Sequence, residues 1–278
     1  MTDVRDEAAP AATAEKRANS DSGFIWYELM TPDADGAKAF YDAVVGWNID
    51  AQSSFPNGYR LIGRSDGKSA GGVLPLTQEM QQHGARPTWL GYLHVDDVDA
   101  SVKAIEKDGG RALMPAFDIP NVGRVAMVAD PQGAAFYIMK PIPPAGQPEA
   151  ASDVFSPTEV QRCAWNELLT TDLDAAKRFY PKHFGWKLGD TMPMGPMGDY
   201  QFIDQGGRMI GAMFAPQDRP PAWRFCFRVD NLEKSIEAIG SGGGEILFGP
   251  TEVPGGGRIV QANDPQGAFF MVIEGGIQ

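Results

Sequence analysis

Hydrophobic positions along this chain fall into a recurring series, a short apolar run followed by a segment in which apolar residues recur at three- and four-residue spacing and then by three further strand-like runs. The short apolar run from Phe24 to Met30 predicts a strand. Asp33 then caps a predicted helix that carries Phe40, Tyr41 and Val44, and further strands are expected near Tyr59 and Ala70. The series then restarts. Trp89 to Val95 reads as a strand, Asp97 or Asp99 as the cap of a helix running through Lys107, and the Gly109–Gly110 pair as its stop, with strands to follow near Leu113, Val125 and Phe136. The DPQG tetrads at Asp130 and Asp264 predict tight turns between the last two strands of each series.

Placed against itself, the chain repeats. FIWYELMTPDADGAKAFYDAVVGW from Phe24 aligns with CAWNELLTTDLDAAKRFYPKHFGW from Cys163 at an offset of 139, so that Trp26, Glu28, Leu29, Asp33, Phe40, Tyr41, Gly46 and Trp47 all recur. HVDDVDASVKAIEKDGG and IPNVGRVAMVADPQGAAF find RVDNLEKSIEAIGSGGG and VPGGGRIVQANDPQGAFF at an offset of 134. Each copy spans about 120 residues, an ordinary domain size. The expected organisation is a disordered tail over 1–22, one domain over 23–141, a Pro-, Ala- and Ser-rich linker over 142–160, and a second domain over 161–275. Proteases should cut first in that linker or in the N-terminal tail, a linker cut releasing two folded halves.

Composition narrows the functional classes. With 43% hydrophobic residues in 278, each copy can fill a core. The net charge of −12 and the lack of a basic stretch argue against nucleic acid. No apolar run approaches a membrane span, and the first twenty residues mix charge with alanine where a signal peptide needs an unbroken apolar stretch. Two widely separated cysteines, Cys163 and Cys226, fit a reducing compartment, so a cytoplasmic location is expected, as a monomer of two pseudo-equivalent domains or as a homodimer. Nucleotide-cradling, nucleophile-elbow and HExxH motifs are missing from the sequence.

A βαβββ unit used twice per copy, with an FYxxxxGW helix ending and a DPxG turn before the last strand, resembles the vicinal oxygen chelate superfamily of glyoxalase I, bleomycin-resistance proteins and extradiol dioxygenases. The resemblance runs from Gly23 to Glu274. It implies an α+β fold of two tandem domains, each of two βαβββ modules forming an eight-stranded, cup-like mixed sheet. In the metal enzymes of that group, His or Glu side chains on the first and last strands of each module point into the cup. The corresponding positions here are Trp26 and Trp165, the stretches from Ser69 and from Met209, Leu90 and Arg224, and Tyr137 and Met271. None is a usual oxygen or imidazole ligand, so no metal and no other cofactor is expected. Of the three histidines, His83, His94 and His183, only His94 shares strand parity with an inherited position.

What remains is a pocket argument. Glu28 and Glu167 stand two residues after Trp26 and Trp165, on the same strand face, where a carboxyl in aromatic surroundings becomes either an acid/base and anchoring group or a structural carboxylate. Tyr59, Tyr137 and Tyr200 would complete aromatic walls with Leu90 and Met271. Arg124 and Arg258, each after a glycine, either clamp an anionic group or tie two strands. Met192, Met194 and Met197 form an apolar loop that lids the second cup or sits on it. The expected activity is binding of a small apolar or aromatic molecule in each cup. An enzyme using Glu28 or Glu167, and a scaffold with filled cups, are the alternatives.

Overall fold

The structure of this protein is a computed structural model that describes residues 23–276 apart from 54, 56, 144, 145, 147–150 and 218. The tail expected over 1–22 and part of the expected linker therefore lie outside the described residues. Each repeat contributes one eight-stranded sheet. The first holds β1 (Phe24–Thr31), β2 (Asn48–Ile49), β3 (Arg60–Gly63), β4 (Ser69–Pro75), β5 (Thr88–His94), β6 (Arg111–Ile119), β7 (Gly123–Ala129) and β8 (Ala135–Pro141). Their order across the sheet is β2-β3-β4-β1-β5-β8-β7-β6. The two modules meet where β1 and β5 pair antiparallel, and each closes with a parallel pair, β1 with β4 and β5 with β8. The second sheet repeats that order with β10 (Lys187–Pro193), β11 (Asp199–Gln205), β12 (Arg208–Phe214), β9 (Cys163–Leu169), β13 (Ala222–Arg228), β16 (Phe269–Glu274), β15 (Gly257–Asn263) and β14 (Glu245–Val253).

The helices start where short polar side chains satisfy their free N–H groups. Asp33 accepts from Gly36 N–H ahead of α1 (Ala34–Val45), and Asp97, rather than Asp99, accepts from Ala100 ahead of α3 (Val98–Lys107). Asp172 and Asn231 do the same for α4 (Leu173–Phe184) and α5 (Leu232–Ser241). A short helix, α2 (Gln78–Gln82), capped by Thr77, was not foreseen, because five residues are too few to show a period.

Alternation sorts each central strand between two environments. On β1, Tyr27 and Leu29 face the helices while Trp26, Glu28 and Met30 face the cup. A register shift between Phe24 and Trp26 returns Phe24 to the helix side. The helix sides of the two repeats then pack on one another and form one core. Phe24 meets Trp223 at 5.2 Å, Tyr27 meets Phe225 at 5.1 Å, and Trp47 and Trp89 meet Phe227 at 4.9 and 4.7 Å between ring centroids. α1 lies against α5, where Ser235 Oγ donates to Val44 O. Gly242, the C-cap of α5, is a contact point in this interface. A Cβ there would lie 2.8 Å from Phe40 Cδ2.

The recurring motifs close this interface in mirrored pairs. Trp89 Nε1 donates to Tyr41 Oη, and Tyr41 donates to Asp264 of the other repeat. Trp223 donates to Tyr180, and Tyr180 donates to Asp130. The DPQG aspartates thus do more than shape a turn. Asp130 Oδ1 accepts the N–H groups of residues 132–134 while Oδ2 is left for Tyr180. Tyr27 Oη donates to Asn166, the residue 139 positions on that occupies its place in the second repeat.

The segment after residue 150 is more than a spacer. Asp153 pairs with Arg64 and Lys68 of the first repeat, Ser152 Oγ donates to Ile25 O, and Val154 is buried in the shared core. Arg64, whose side chain is 1% exposed, bridges Asp66 and Asp153. The expected linker is thus a strut in its second half. Among the described residues no helix is long and apolar enough to cross a membrane.

Candidate active site in the second cup

The two concave faces share one hydrogen-bond motif. In the second cup Trp165 Nε1 donates to Tyr200 Oη at 2.8 Å, and Tyr200 donates to Glu167 Oε2 at 3.0 Å. In the first, Trp26 Nε1 donates to Tyr59 Oη at 2.7 Å, and Tyr59 lies beside Glu28. Tyr59 reaches that place by crossing β4 at Gly72, where a Cβ would lie 2.1 Å from its hydroxyl. Burial pushes both carboxyls up. Glu28 rises from 4.5 to about 7, held back by hydroxyl donation from Tyr92 and the nearby Tyr59. Glu167 is raised by burial against the opposing pull of Arg224, Tyr200 and Arg219.

The cups diverge at their floors. β5 and β8 place Tyr92 beside Tyr137, where the rings stack at 4.3 Å with 18° between their planes. Tyr92 Oη also donates to Glu28 Oε2 at 2.7 Å, leaving Oε1 buried without a hydrogen-bond partner. With Leu90, Met30, Leu76, Val125 and Met139 these rings form a buried cluster on the floor of the first cup. The equivalent strand pair in the second sheet is Cys226 beside Met271. Two tyrosines are replaced there by two smaller or more flexible side chains, and a cavity of about 580 Å³ opens, lined by Trp165, Tyr200, Phe202, Phe214, Phe248 and Met271. Met192, at the end of β10, and Met194 and Met197, just after it, all line it, which brings this methionine segment to the second cup.

Arg224 faces Glu167 directly across the β9–β13 register, and its Cζ lies 4.1 Å from the centroid of the Phe269 ring. The cavity therefore holds an apolar wall with a carboxyl, a phenol and a guanidinium converging at one end, the usual chemistry of a small-molecule site. The other candidates divide cleanly. Trp165, Tyr200, Arg224, Met271 and Glu167 line the cavity, while Trp26, Tyr59, Leu90, Tyr137 and Glu28 lie in the first cup.

Arg124 and Arg258 are in neither cup. Arg124 pairs with Asp99 and Asp118 on the outer surface, and Arg258 with Glu233. The structure supports a tie rather than a clamp: Arg124 reaches Asp118 on the neighbouring strand and Arg258 reaches Glu274, and each also pairs with the acidic first turn of α3 or α5. His183 lies outside both cups. It packs 6% exposed between the repeats, with Nε2 2.9 Å from Asp108 and its pKa lowered chiefly by burial. Tyr92 and Cys226 were missed, although both stand two residues after the named positions Leu90 and Arg224 and so share their face.

The donor set does not suit the divalent metal of the metal-dependent proteins in this fold group. Each cup offers one buried carboxyl, Glu28 or Glu167, raised toward its neutral form; in the second cup a guanidinium stands opposite it, and the other lining carboxylate, Glu252, is exposed on β14. Among the described residues no three His, Cys, Asp or Glu side chains come together as a metal site.

A model of the Glyoxalase/Bleomycin resistance protein/Dioxygenase superfamily matches residues 23–138 and 161–272. The chain is 31% identical over 253 residues to a Mycobacterium bovis protein named "Putative glyoxylase CFP32", covering 90% of this chain and 93% of that one. It is 31% identical over 265 residues to the anthracycline biosynthesis protein DnrV of Streptomyces peucetius, covering 90% and 92%. Among solved structures it resembles a Mn(II)-bound glyoxalase from Novosphingobium aromaticivorans at TM-score 0.61 and 16% identity, covering 92% of this chain and 82% of that one. An extradiol ring-cleaving dioxygenase from B. fuscum gives 0.63 and 14%, covering 96% and 75%. With the family matched across both repeats, and the order β2-β3-β4-β1-β5-β8-β7-β6 repeated in the second sheet, this chain belongs to the glyoxalase/bleomycin resistance protein/dioxygenase superfamily as a tandem two-domain member.

Proposed function

We propose that the protein binds a flat, ring-bearing small molecule in the second cup without a metal, and that Glu167 hydrogen-bonds its polar group. The observation that carries this reading is the cavity of about 580 Å³, within the size range of drug-like ligands and walled by Trp165, Tyr200, Phe202 and Phe214. The first cup is read as structural, since Tyr92 and Tyr137 occupy its floor. Relatedness to proteins named for anthracycline biosynthesis supports a fused-ring ligand.

Titration with anthraquinone-2-carboxamide, a neutral tricyclic probe, tests the location. Quenching of indole emission should persist in Trp26→Phe and shrink in Trp165→Phe, while the reverse pattern would place the ligand in the first cup. Elemental analysis of protein purified without chelators should find no stoichiometric transition metal, and one metal per domain would overturn the metal-free reading.

A second reading, acid/base catalysis, is favoured by the burial of Glu167 beside Tyr200 and opposite Arg224, which raises its pKa above the usual carboxylate range. Glu167→Gln separates the two, since it keeps the shape and removes the ionisable proton. An anchoring carboxyl should show as affinity reduced by roughly 3- to 10-fold, the scale of one hydrogen bond. A catalytic one should show as lost turnover on a metabolite panel with binding kept. A variant equal to the parent in both respects would make Glu167 structural.

A further inference from the structure

The second cup contains a cation that the shape of the cavity alone does not explain. Arg224 is half-buried, and among the described residues its guanidinium makes neither a hydrogen bond nor an ion pair. Its neighbours are the Phe269 ring, the Glu167 carboxyl, and Arg219, which lines the cavity and is itself exposed. A guanidinium carries five donors, and leaving them unmatched in a partly dry, apolar site is costly. Glu167 does not fill the role, because burial favours its neutral form and its Oε2 already accepts from Tyr200. Glu252, the other carboxylate of the lining, is exposed and belongs to β14, opposite Arg258 in register. Seated on the Phe269 ring, the guanidinium keeps its edge, where the N–H groups are, free to donate.

We infer that the occupant of the second cup is a ring-bearing molecule with an anionic oxygen, a carboxylate or an ionised phenol or enol, and that Arg224 binds this oxygen. The inference rests on the reading of the second cup as the binding site. It also explains why the cups differ, since the first has Leu90 where the second has Arg224, and a leucine offers an anion nothing. The apolar wall receives the ring system, and the charge is matched at the one end where Arg224 faces Glu167.

Isothermal titration at pH 8 with anthraquinone-2-carboxylate and with its neutral carboxamide isolates the charge, because the ring systems are the same. The parent should prefer the carboxylate by roughly 10-fold or more, the range of a hydrogen bond to a charged group. In Arg224→Met the preference should fall below about 3-fold with carboxamide affinity kept, and Arg224→Lys should retain part of it, since it keeps the charge and loses the fork. Equal affinities in the parent, or a preference that survives in Arg224→Met, would overturn the anion assignment while leaving the cavity as the binding site. If neither compound titrates, the binding-site reading falls and the inference with it. Thermal melting of both variants establishes that they are folded, which removal of an unpaired half-buried charge does not threaten.

Discussion

Separated after residue 143, the two halves should fail to persist as independent, cooperatively folded monomers. Each repeat is a complete set of strands and helices by sequence, yet the largest aromatic side chains of each are buried by the other. Phe24 and Tyr27 pack on Trp223 and Phe225, and Trp47 and Trp89 pack on Phe227. Cutting the interface exposes those rings to water and leaves Tyr41, Tyr180, Asp130 and Asp264 without partners from the opposite repeat. A single half is expected to aggregate, to self-associate through the same face, or to recover order only when the other half is supplied. Near-UV circular dichroism and light scattering of each half alone and of their mixture measure this. Two monomeric halves, each melting cooperatively near the temperature of the whole chain, would overturn it. The same geometry revises the proteolysis expected from the sequence, because a nick near residue 146 should leave the halves associated through the core and through the Asp153–Arg64 pair.

Replacing Glu28 by Gln should change how stability depends on pH. Burial lifts Glu28 from its usual 4.5 to about 7, so the folded state binds the proton more tightly than the unfolded chain does. The stability contributed by that proton is fully present below about pH 4.5 and is lost as the pH rises to about 7. At roughly 1.4 kcal/mol per pH unit, the loss amounts to about 3 kcal/mol in order of magnitude. Gln keeps an acceptor for the Tyr92 hydroxyl and carries no charge to desolvate. The variant should therefore match the parent near pH 4.5 and exceed it by up to about 3 kcal/mol at pH 8.5. Urea unfolding of both proteins at the two pH values decides the matter. Their difference isolates Glu28 from the other buried acids, Glu167, Asp130 and Asp264, which are raised in both proteins. Equal pH slopes for parent and variant would show that Glu28 does not titrate in this window.

Much of the architecture was legible from the chain because it depends on local patterns. Short apolar runs located β1, β5, β7 and β8, and short polar residues ahead of apolar periodicity located the starts of α1 and α3, which the repeat carries over to the second copy. The repeat supplied the tandem order, and strand parity put Glu28 with Trp26 and Glu167 with Trp165 on one face. Whether a face is a cavity or a core is a different kind of fact. It depends on side chains from strands distant in sequence, and the two cups part at Tyr92–Tyr137 against Cys226–Met271, a contrast visible only once β5 and β8, and β13 and β16, are known to be parallel neighbours. Arg124 and Arg258 shared a motif with no directional content, and the structure sent them outward because an acidic helix start stands beside each. The repeat by itself also suggested two self-sufficient domains. Sequence similarity records what each copy is made of, but the burial of Phe24, Tyr27 and Trp89 against Trp223, Phe225 and Phe227 is a property of the pair, set by how two apolar helix sides find each other in water.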